Sequence, residues 1–504
     1  MTQLFLPRGY RNAELLNKKL HSAEENLLLR RGQQRALTLF HAMSNRVPAY
    51  KDFLKKNKFS PDSVNSIRDF HKIPPINKDN YLKQYPKDML CWDGEFGHGK
   101  WVISTTSGST GQPYYFPRED LQDRQYAISA ELYLRNNFQI QNKSTLYVVA
   151  FPMGAWIGGL FTYEALKIVS EKGYDLSIIT PGIHKQEVLN AIKQLGQSFD
   201  QIILGAYAPF LKDILDDGKR QGIDWPSYNI GFVFSAEAFT EKFRDYVFKV
   251  AQPKEPLLAT LNHYGTVDLG TMAHETPESV LIRRQLVNEH RLDILFPEKN
   301  RQATFAQYDP SLFYFEEEAH SLFCTAYSGL PLVRYDLKDY GGVISRKKVH
   351  KLLNNNGIDI DNIIKKSGIE STTWNLPFVY VYERNDFSVS YYAFLIYPDM
   401  IRRVLQSDDL QSFLTGKFTM LVDYNAEGRQ ELLIHAELTH GTTSDKTLVK
   451  KVKSNIHQSL FEESSEYRET HNTIGTAVQP VIKLWKYEDS TYFRPGTKQK
   501  WVLK

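Results

Sequence analysis

TTSGSTGQPYYF, Thr105 to Phe116, is the stretch on which the reading of this chain turns. It sets Gly108 and Gly111 among the hydroxyls of Ser107, Ser109 and Thr110, then stops at Pro113. Glycines let backbone come close to a ligand, and successive N–H groups in such a loop can form an anion nest. An ordinary polar turn has the same composition. The loop cannot choose between the two readings by itself, so its neighbours along the chain must.

From Trp101 onward short apolar runs alternate with amphipathic ones. KWVIST predicts a strand before the loop. STLYVVAF, DLSIITPG, QIILGAY and LLATLNHYG predict further strands, EVLNAIKQL a helix, and IGFVFSAEAFTEKFRDYVFKVA a strand, turn and helix. This alternation implies a largely parallel sheet with helices on its faces. The first hundred residues carry apolar positions at helical spacing, with breaks at VPAY (47–50) and KIPPINKDN (72–80). From about Asp386 the pattern changes. FTMLVDYN and GRQELLIHAELTHG predict an antiparallel hairpin, SDKTLVKKVKSNIHQSLF a helix and AVQPVIKLWKYE a last strand. The expected architecture is an α/β N-terminal domain over residues 1–385, helical to 100 with an α/β core from 101. A small α+β domain over 386–504 follows it.

Composition narrows the partners. The 504 residues suggest roughly two to four domains. With 62 basic and 58 acidic residues the net charge is +4, which gives no footing for nucleic acid as the main partner. Cys91 and Cys324 stand far apart, in no disulfide framework or zinc motif. TLYVVAFPMGAWIGGLFTYEAL (145–166) is uncharged until Glu164, but Pro152, Gly154, Gly158 and Gly159 interrupt it. It predicts a buried strand, a turn and a buried helix, not a membrane span. MTQLFLPRGYRN at the start has no sustained apolar run, so the expected location is cytoplasmic.

In an open parallel sheet, ligands sit beyond the carboxyl ends of the strands. Three polar groups follow predicted strands there: Ser235-Ala236-Glu237-Ala238, Asn262-His263-Tyr264-Gly265-Thr266-Val267-Asp268, and PLVRYDLKDYG (331–341). Each has a plain alternative. Glu237 can favour a helix start, Tyr264-Gly265 can be a turn, and Arg334 with Asp339 can be a surface ion pair. Their order along the chain is harder to set aside.

That order resembles the adenylate-forming superfamily of acyl- and aryl-CoA ligases and peptide-synthetase adenylation domains. SGSTGQP (107–113) is similar to its phosphate loop, with Tyr114 where a lysine often stands. HYGTVD is similar to its tyrosine–glycine–any–threonine–glutamate motif, with Val267 and Asp268 replacing the last two residues. RYDLKD ends on Asp339, YERND (382–386) resembles the interdomain hinge, and YFRPGTKQKWV resembles the segment of the catalytic lysine. VPAY, IPPINKDN, SAEAFTEKFR and IYPDMIRRVL resemble signatures of the phenylacetate–CoA ligase-like branch, although Lys338 and Ala393 stand where that group usually has glycine.

The resemblance implies ATP-dependent activation of a carboxylic acid as an acyl-adenylate, with release of pyrophosphate. Transfer follows to coenzyme A, a carrier protein or an amine. It assigns Ser107, Gly108, Ser109, Thr110 and Gly111 to the phosphates, and Asp268 to Mg²⁺. It assigns Ser235, Ala236, Glu237, Ala238, His263, Tyr264, Gly265, Thr266, Asp339 and Arg384 to the nucleotide, with Asp339 on the ribose. Asp386 is the implied hinge and Lys498 the implied catalytic residue, with Lys500 two positions on as the alternative. The implied acyl pocket takes Met153, Trp156, Gly205, Tyr207 and His263. Val267, Asp268, Glu383 and Phe387 leave open a second reading, a catalytically weakened nucleotide-binding module.

Overall fold

The computed structural model describes residues 6–7, 9–105, 114–155, 157–235, 238–299, 301–382, 388–392, 394–424, 430–496 and 499–503. The helical start forms a pad on one end of the main sheet. Helices α1 (Ala13–Ser22), α2 (Glu25–Arg46) and α3 (Pro48–Lys56) put Leu16, Leu28, Phe40, Met43 and Tyr50 into a core shared with Phe315, Cys324 and Leu332. Pro48 ends α2 as expected but also begins α3, at the first helical position where a missing N–H costs nothing. Cys91 and Cys324 are buried free thiols.

The glycine-rich loop hangs from a hairpin of its own. Strand β1 (Val102–Thr105) pairs antiparallel with β2 (Tyr115–Arg118), from Val102 opposite Arg118 to Thr105 opposite Tyr115. A Walker-type loop would join a strand to a helix.

The large sheet, as described, has eleven strands. One half is the predicted parallel part: β3 (Thr145–Ala150), β4 (Leu176–Ile179), β5 (Gln201–Ala206), β6 (Ile230–Ser235) and β7 (Thr260–Thr266), ordered β4-β3-β5-β6-β7. Helices α4 (Asp120–Phe138), α5 (Ile157–Ser170), α6 (Lys185–Leu195), α7 (Ala208–Arg220) and α8 (Glu241–Ala251) lie in this half, their apolar residues packed on its strands. TLYVVA and IGGLFTYEALKIVS are therefore a central strand and a covering helix, and no described helix is long and apolar enough to cross a membrane.

The other half is antiparallel, so the sheet is mixed. Strands β8 (Gly270–His274), β9 (Thr304–Gln307), β10 (Phe313–Glu318), β11 (Ser321–Ala326), β12 (Leu332–Ile344) and β13 (Phe378–Val381) extend it in the order β8-β9-β13-β12-β11-β10. Helix α9 (Pro277–Asn288) packs on this side. Arg244, the last residue of the quoted SAEAFTEKFR, is a buried strut. Its guanidinium meets Glu241 at 2.9 Å, Glu275 at 2.8 Å and the Thr260 hydroxyl at 2.6 Å. Glu275 also accepts from the Asn262 amide at 3.0 Å, which fixes the backbone just before His263.

Beyond Val389 the chain has a separate core of Val389, Ile401, Phe418, Ile434, Val452 and Ile482. The hairpin β14 (Val389–Tyr391) and β15 (Phe394–Ile396) precedes helix α10 (Pro398–Leu405). Strands β16 (Leu414–Tyr424) and β17 (Gln430–Leu438) form the predicted antiparallel pair, helix α11 (Lys446–Glu463) follows, and β18 (Val481–Trp485) joins β17 in parallel. This part docks through buried charge. Lys417 on β16 reaches Asp213 on α7 at 2.5 Å and Glu437 on β17 at 3.2 Å. Arg301 meets Asp399 at 3.2 Å, and the Thr240 hydroxyl donates to Gln406 at 2.8 Å.

Candidate active site

The carboxyl ends of β3, β5, β6 and β7 bring several predicted residues to one edge. Ser235 ends β6 and stands opposite His263 on β7. The Tyr264 hydroxyl donates to Asp339 on β12 at 2.6 Å, so two residues 75 positions apart share one polar contact. Tyr264 stacks on Phe315, with ring centroids 6.1 Å apart. A Cβ on Gly265 would come within 2.5 Å of the Gly270 carbonyl oxygen, because a register shift presses β7 against β8 there. Thr266 accepts from the Leu269 amide at 3.2 Å and so closes the turn that leads to Asp268.

Asp268 has partners the sequence did not suggest. Its buried carboxylate accepts from the Tyr335 hydroxyl at 2.5 Å and pairs with the Lys78 ammonium at 3.2 Å. Lys78 comes from IPPINKDN, where Asn77 caps the short helical turn over Lys78–Leu82. The preceding Ile76 is laced to β12: the Asp336 amide donates to Ile76 at 2.8 Å and the Ile76 amide to Arg334 at 3.2 Å. Lys78 and Tyr335 are the site residues that motif reading missed. Lys78 stood in a quoted signature but had no role, since only the fold brings residue 78 to residue 268.

Arg334 is not paired with Asp339 at the surface. It is buried, bonded to Glu316 at 3.0 Å and to the carbonyls of His71 and Ile73 at 2.7 and 2.6 Å. Lys338, where the resemblance leads one to expect glycine, holds a left-handed backbone at φ +61°. Asp336 steadies it by accepting from its amide at 2.9 Å and pairing with its ammonium at 2.6 Å.

Tyr114 anchors the far stem of the glycine-rich hairpin. Its hydroxyl donates to the Leu82 carbonyl at 3.0 Å, and its ring covers the Lys87 ammonium at 3.3 Å from the centroid. Burial there lowers the Lys87 pKa to about 8. Burial, with the Asp268 charge adding to it, pushes the Tyr114 phenol up, so this stem lies near Asp268. The near stem is tied to the acyl side, because the Thr105 amide donates to the Ala155 carbonyl at 2.9 Å.

The predicted acyl residues also gather. Phe151 lies 5.6 Å from Tyr207 between ring centroids. A Cβ on Gly205 would meet the Phe151 ring at 2.8 Å, and one on Gly158 would meet the Tyr207 hydroxyl at 3.5 Å. Met153 abuts both Gly159 and Gly182. Next to Gly182 is Ile183, and it packs so tightly on Gly496 that a Cβ there would come within 2.2 Å of its own. Gly496 takes φ +67°, open to glycine without strain. Gln499 is pinned on the other side, donating to the Phe418 carbonyl at 3.0 Å. Gly496 and Gln499, the described residues on either side, are thereby held in place, whereas Lys500 is exposed.

Ser107, Gly108, Ser109, Thr110, Gly111, Trp156, Ala236, Glu237, Arg384, Asp386 and Lys498 lie outside the described residues. Ala238 is described, lining the crevice between the two parts with Phe239, Arg402, Gln406 and Trp501.

No protein-family model and no curated protein sequence matches the chain. Solved structures do. A 2-hydroxyisobutyryl-CoA ligase in the postadenylation state, in complex with R3-HIB-AMP, matches over 96% of this chain and 91% of its own, with a TM-score of 0.64 at 12% identity. The chain has the two-domain fold of an adenylate-forming acyl-CoA ligase. The same ligase in its thioesterification state, with 2-HIB-AMP and CoA, matches over 92% of this chain and 86% of its own, with a TM-score of 0.52 at 12% identity. The fold is thus shared over nearly the whole chain, and the higher score goes with the structure in the postadenylation state. In this fold the stem of the β1–β2 hairpin, the β7–β8 turn and Asp339 come together from distant parts of the chain.

Among the described residues no three His, Cys, Asp or Glu side chains cluster as a metal cage. A magnesium ion carried on phosphates needs only one or two protein carboxylates, and buried Asp268 fits that demand. Lys78 holds one of its oxygens.

Proposed function

We propose that this protein activates a carboxylic acid with ATP, forming an acyl-adenylate and pyrophosphate, and passes the acyl group to a thiol acceptor, coenzyme A. One observation carries the reading. The segment flanking Lys498 packs on Ile183 beside Met153, while the hairpin stem is bonded to Ala155 two residues further on. The residue before the proposed phosphate loop, the proposed acyl residues and a residue flanking Lys498 therefore lie near one another, which supports the reading. The similar ligase is described in complex with an acyl-AMP and CoA, which supports the same chemistry here.

In this reading the hairpin loop, Ser107 to Gly111, closes over the outer phosphates, and Asp339 accepts from the ribose hydroxyls. An ammonium at Lys498 neutralises charge that builds between the carboxylate and the α-phosphate; it is a compact point charge suited to that task. Mg²⁺, when bound to the phosphates, would supply further neutralisation, with Asp268 as its protein ligand. Tyr335 holds Asp268 in place and Lys78 adds positive charge beside it. His263 is neutral at ordinary pH, since burial lowers its pKa to about 3, so it borders the pocket without adding charge. The region from Asp386 onward acts as a lid that turns about that hinge.

ATP–pyrophosphate exchange across aliphatic, aryl, hydroxy and amino acids tests the reading. Acid-dependent exchange that falls at least a hundredfold in Lys498→Ala is the expected result. Exchange with no acid across the panel would favour a nucleotide-binding module instead.

A further inference from the structure

Lys185 carries a charge of the wrong sign for its place. It is the first residue of α6, at the end of a helix that favours negative charge. Acids answer it from two sides. Asp217 on α7 pairs with its ammonium, and so does Glu488, just beyond β18, at 2.5 Å. The same ammonium donates to the Tyr487 hydroxyl at 3.0 Å. Asp217 is also paired with Arg220, so the N-terminal part does not depend on Lys185 as its counter-ion. The Lys185 side chain is 16% exposed and that of Glu488 30%, which sets their contact below the open surface.

The turn that Lys185 grips is strained. Glu488 takes φ +56°, a left-handed backbone uncommon outside glycine. Such conformations persist only where surrounding contacts hold them, and they gather at switch regions. The Glu488 amide donates to Glu437 on β17 at 2.7 Å, and Glu437 pairs with Lys417, which reaches across to Asp213. Asp213 and Asp217 lie four residues apart on one face of α7. At Asp213 the lid supplies the cation, Lys417. At Lys185 it supplies the anion, Glu488. Opposite polarity at the two pins resists a shifted docking, which would set like charges together. The same short segments carry the contact nearest the lysine: Ile183, two residues before Lys185, packs on Gly496, two residues before Lys498.

Resting on the ligase reading, we propose that Lys185 is a positioning residue for adenylation. Through Glu488 it holds the turn after β18, and with it Gly496 against Ile183, in the arrangement that presents the lysine segment to the acid. Acyl transfer with the lid turned requires this contact to break. Release lets the Glu488 turn relax, and Asp217 keeps Arg220 as its partner. Lys185 thereby sets how the protein divides between the two half-reactions.

Lys185→Met and Glu488→Gln test this in the full-length protein, with Lys185→Arg as the conservative variant. Exchange of pyrophosphate into ATP is measured with hexanoate, benzoate, lactate and alanine. For any acid that wild type uses, each of the first two variants should cut kcat at least tenfold and leave the KM for ATP within twofold. Single-turnover transfer from the isolated acyl-adenylate to coenzyme A should hold at the wild-type rate or rise. Lys185→Arg should bring exchange back to within threefold of wild type, and the double variant should lose no more than either single one. Equal losses in both half-reactions, additive losses in the double variant, or wild-type exchange in both single variants overturn the proposal. Hydrogen exchange of the ligand-free protein separates this idea from the ligase reading. Amide exchange at least tenfold faster over 486–496 in both variants, at an unchanged melting temperature, keeps Lys185 as the pin of the turn even if no acid supports pyrophosphate exchange, a result that would sink only the ligase reading. Protection equal to that of wild type sinks this one.

Discussion

Lys417 offers a sharp test of how the two parts of the chain are held. Its ammonium is 7% exposed and lies between Asp213 and Glu437, which are 2% and 0% exposed. Burial by itself would strip its proton, but the two carboxylates reverse that and raise its pKa. Lys417→Met keeps the aliphatic stem and removes the charge. Two buried carboxylates then face each other without a counter-ion, and at least one must take a proton. Protonating a carboxyl of ordinary pKa near 4 at pH 7 costs about 4 kcal/mol, in line with about 3–5 kcal/mol for breaking a buried ion pair. The cost carries a pH signature. It should shrink by about 1.4 kcal/mol for each unit the pH falls between 7 and 5, because protonation becomes cheaper. Urea titrations of wild type and variant at pH 5, 6, 7 and 8 read the difference, and hydrogen exchange over α7 and β16 reports whether docking opens first. The triple variant with Asp213→Asn and Glu437→Gln should recover most of the loss. A loss under 1 kcal/mol, or one independent of pH, would refute the argument.

Other expectations follow from single contacts. Folded His263 and His274 resist protonation, so stability contributed above pH 6.5 should drain away as pH falls toward 4, by about 2 kcal/mol per histidine at pH 5. Chemical unfolding across pH 4.5–7.5 checks this, and His274→Gln should flatten the slope. Asp339→Ala should raise the KM for ATP at least tenfold; an unchanged ATP dependence would remove Asp339 from the ribose. Lys78→Ala should weaken exchange by tenfold or more through the charge beside Asp268, and Lys500→Ala should leave exchange near wild type because Lys500 is exposed. Lys338→Gly should stabilise by about 0.5 kcal/mol, as relief of a left-handed lysine slightly exceeds the added freedom of the unfolded glycine. A melting temperature lowered by several degrees would contradict that balance.

What was legible in the sequence was local. The parallel strands announced themselves as apolar runs such as TLYVVA and QIILGA, and the C-terminal pair as alternating ones. The antiparallel half was not legible, because TFAQ, FYFEEE and SLFCTA are short runs whose partners are set by tertiary contact. Motif order gave Tyr264 and Asp339 separately, but not that the hydroxyl of one lies on the carboxylate of the other. Arg334 looked like a surface residue beside acids and is a buried clamp on the N-terminal pad. Lys78 carried no signal, since its partner is 190 positions away.

The departures from the expected motifs bear on whether the site has decayed. A decaying position loses its partners, and its side chain drifts to solvent or leaves a buried polar group bare. Tyr114, in place of the usual lysine, has its hydroxyl on Leu82 and its ring on Lys87. Asp268, one methylene shorter than glutamate, is met by Tyr335 and by Lys78. Lys338, on backbone suited to glycine, is tethered twice by Asp336. Each of these three residues has a specific contact, and Lys78 from another segment brings positive charge beside Asp268. Compensation of that kind fits a site kept at work better than one released from it.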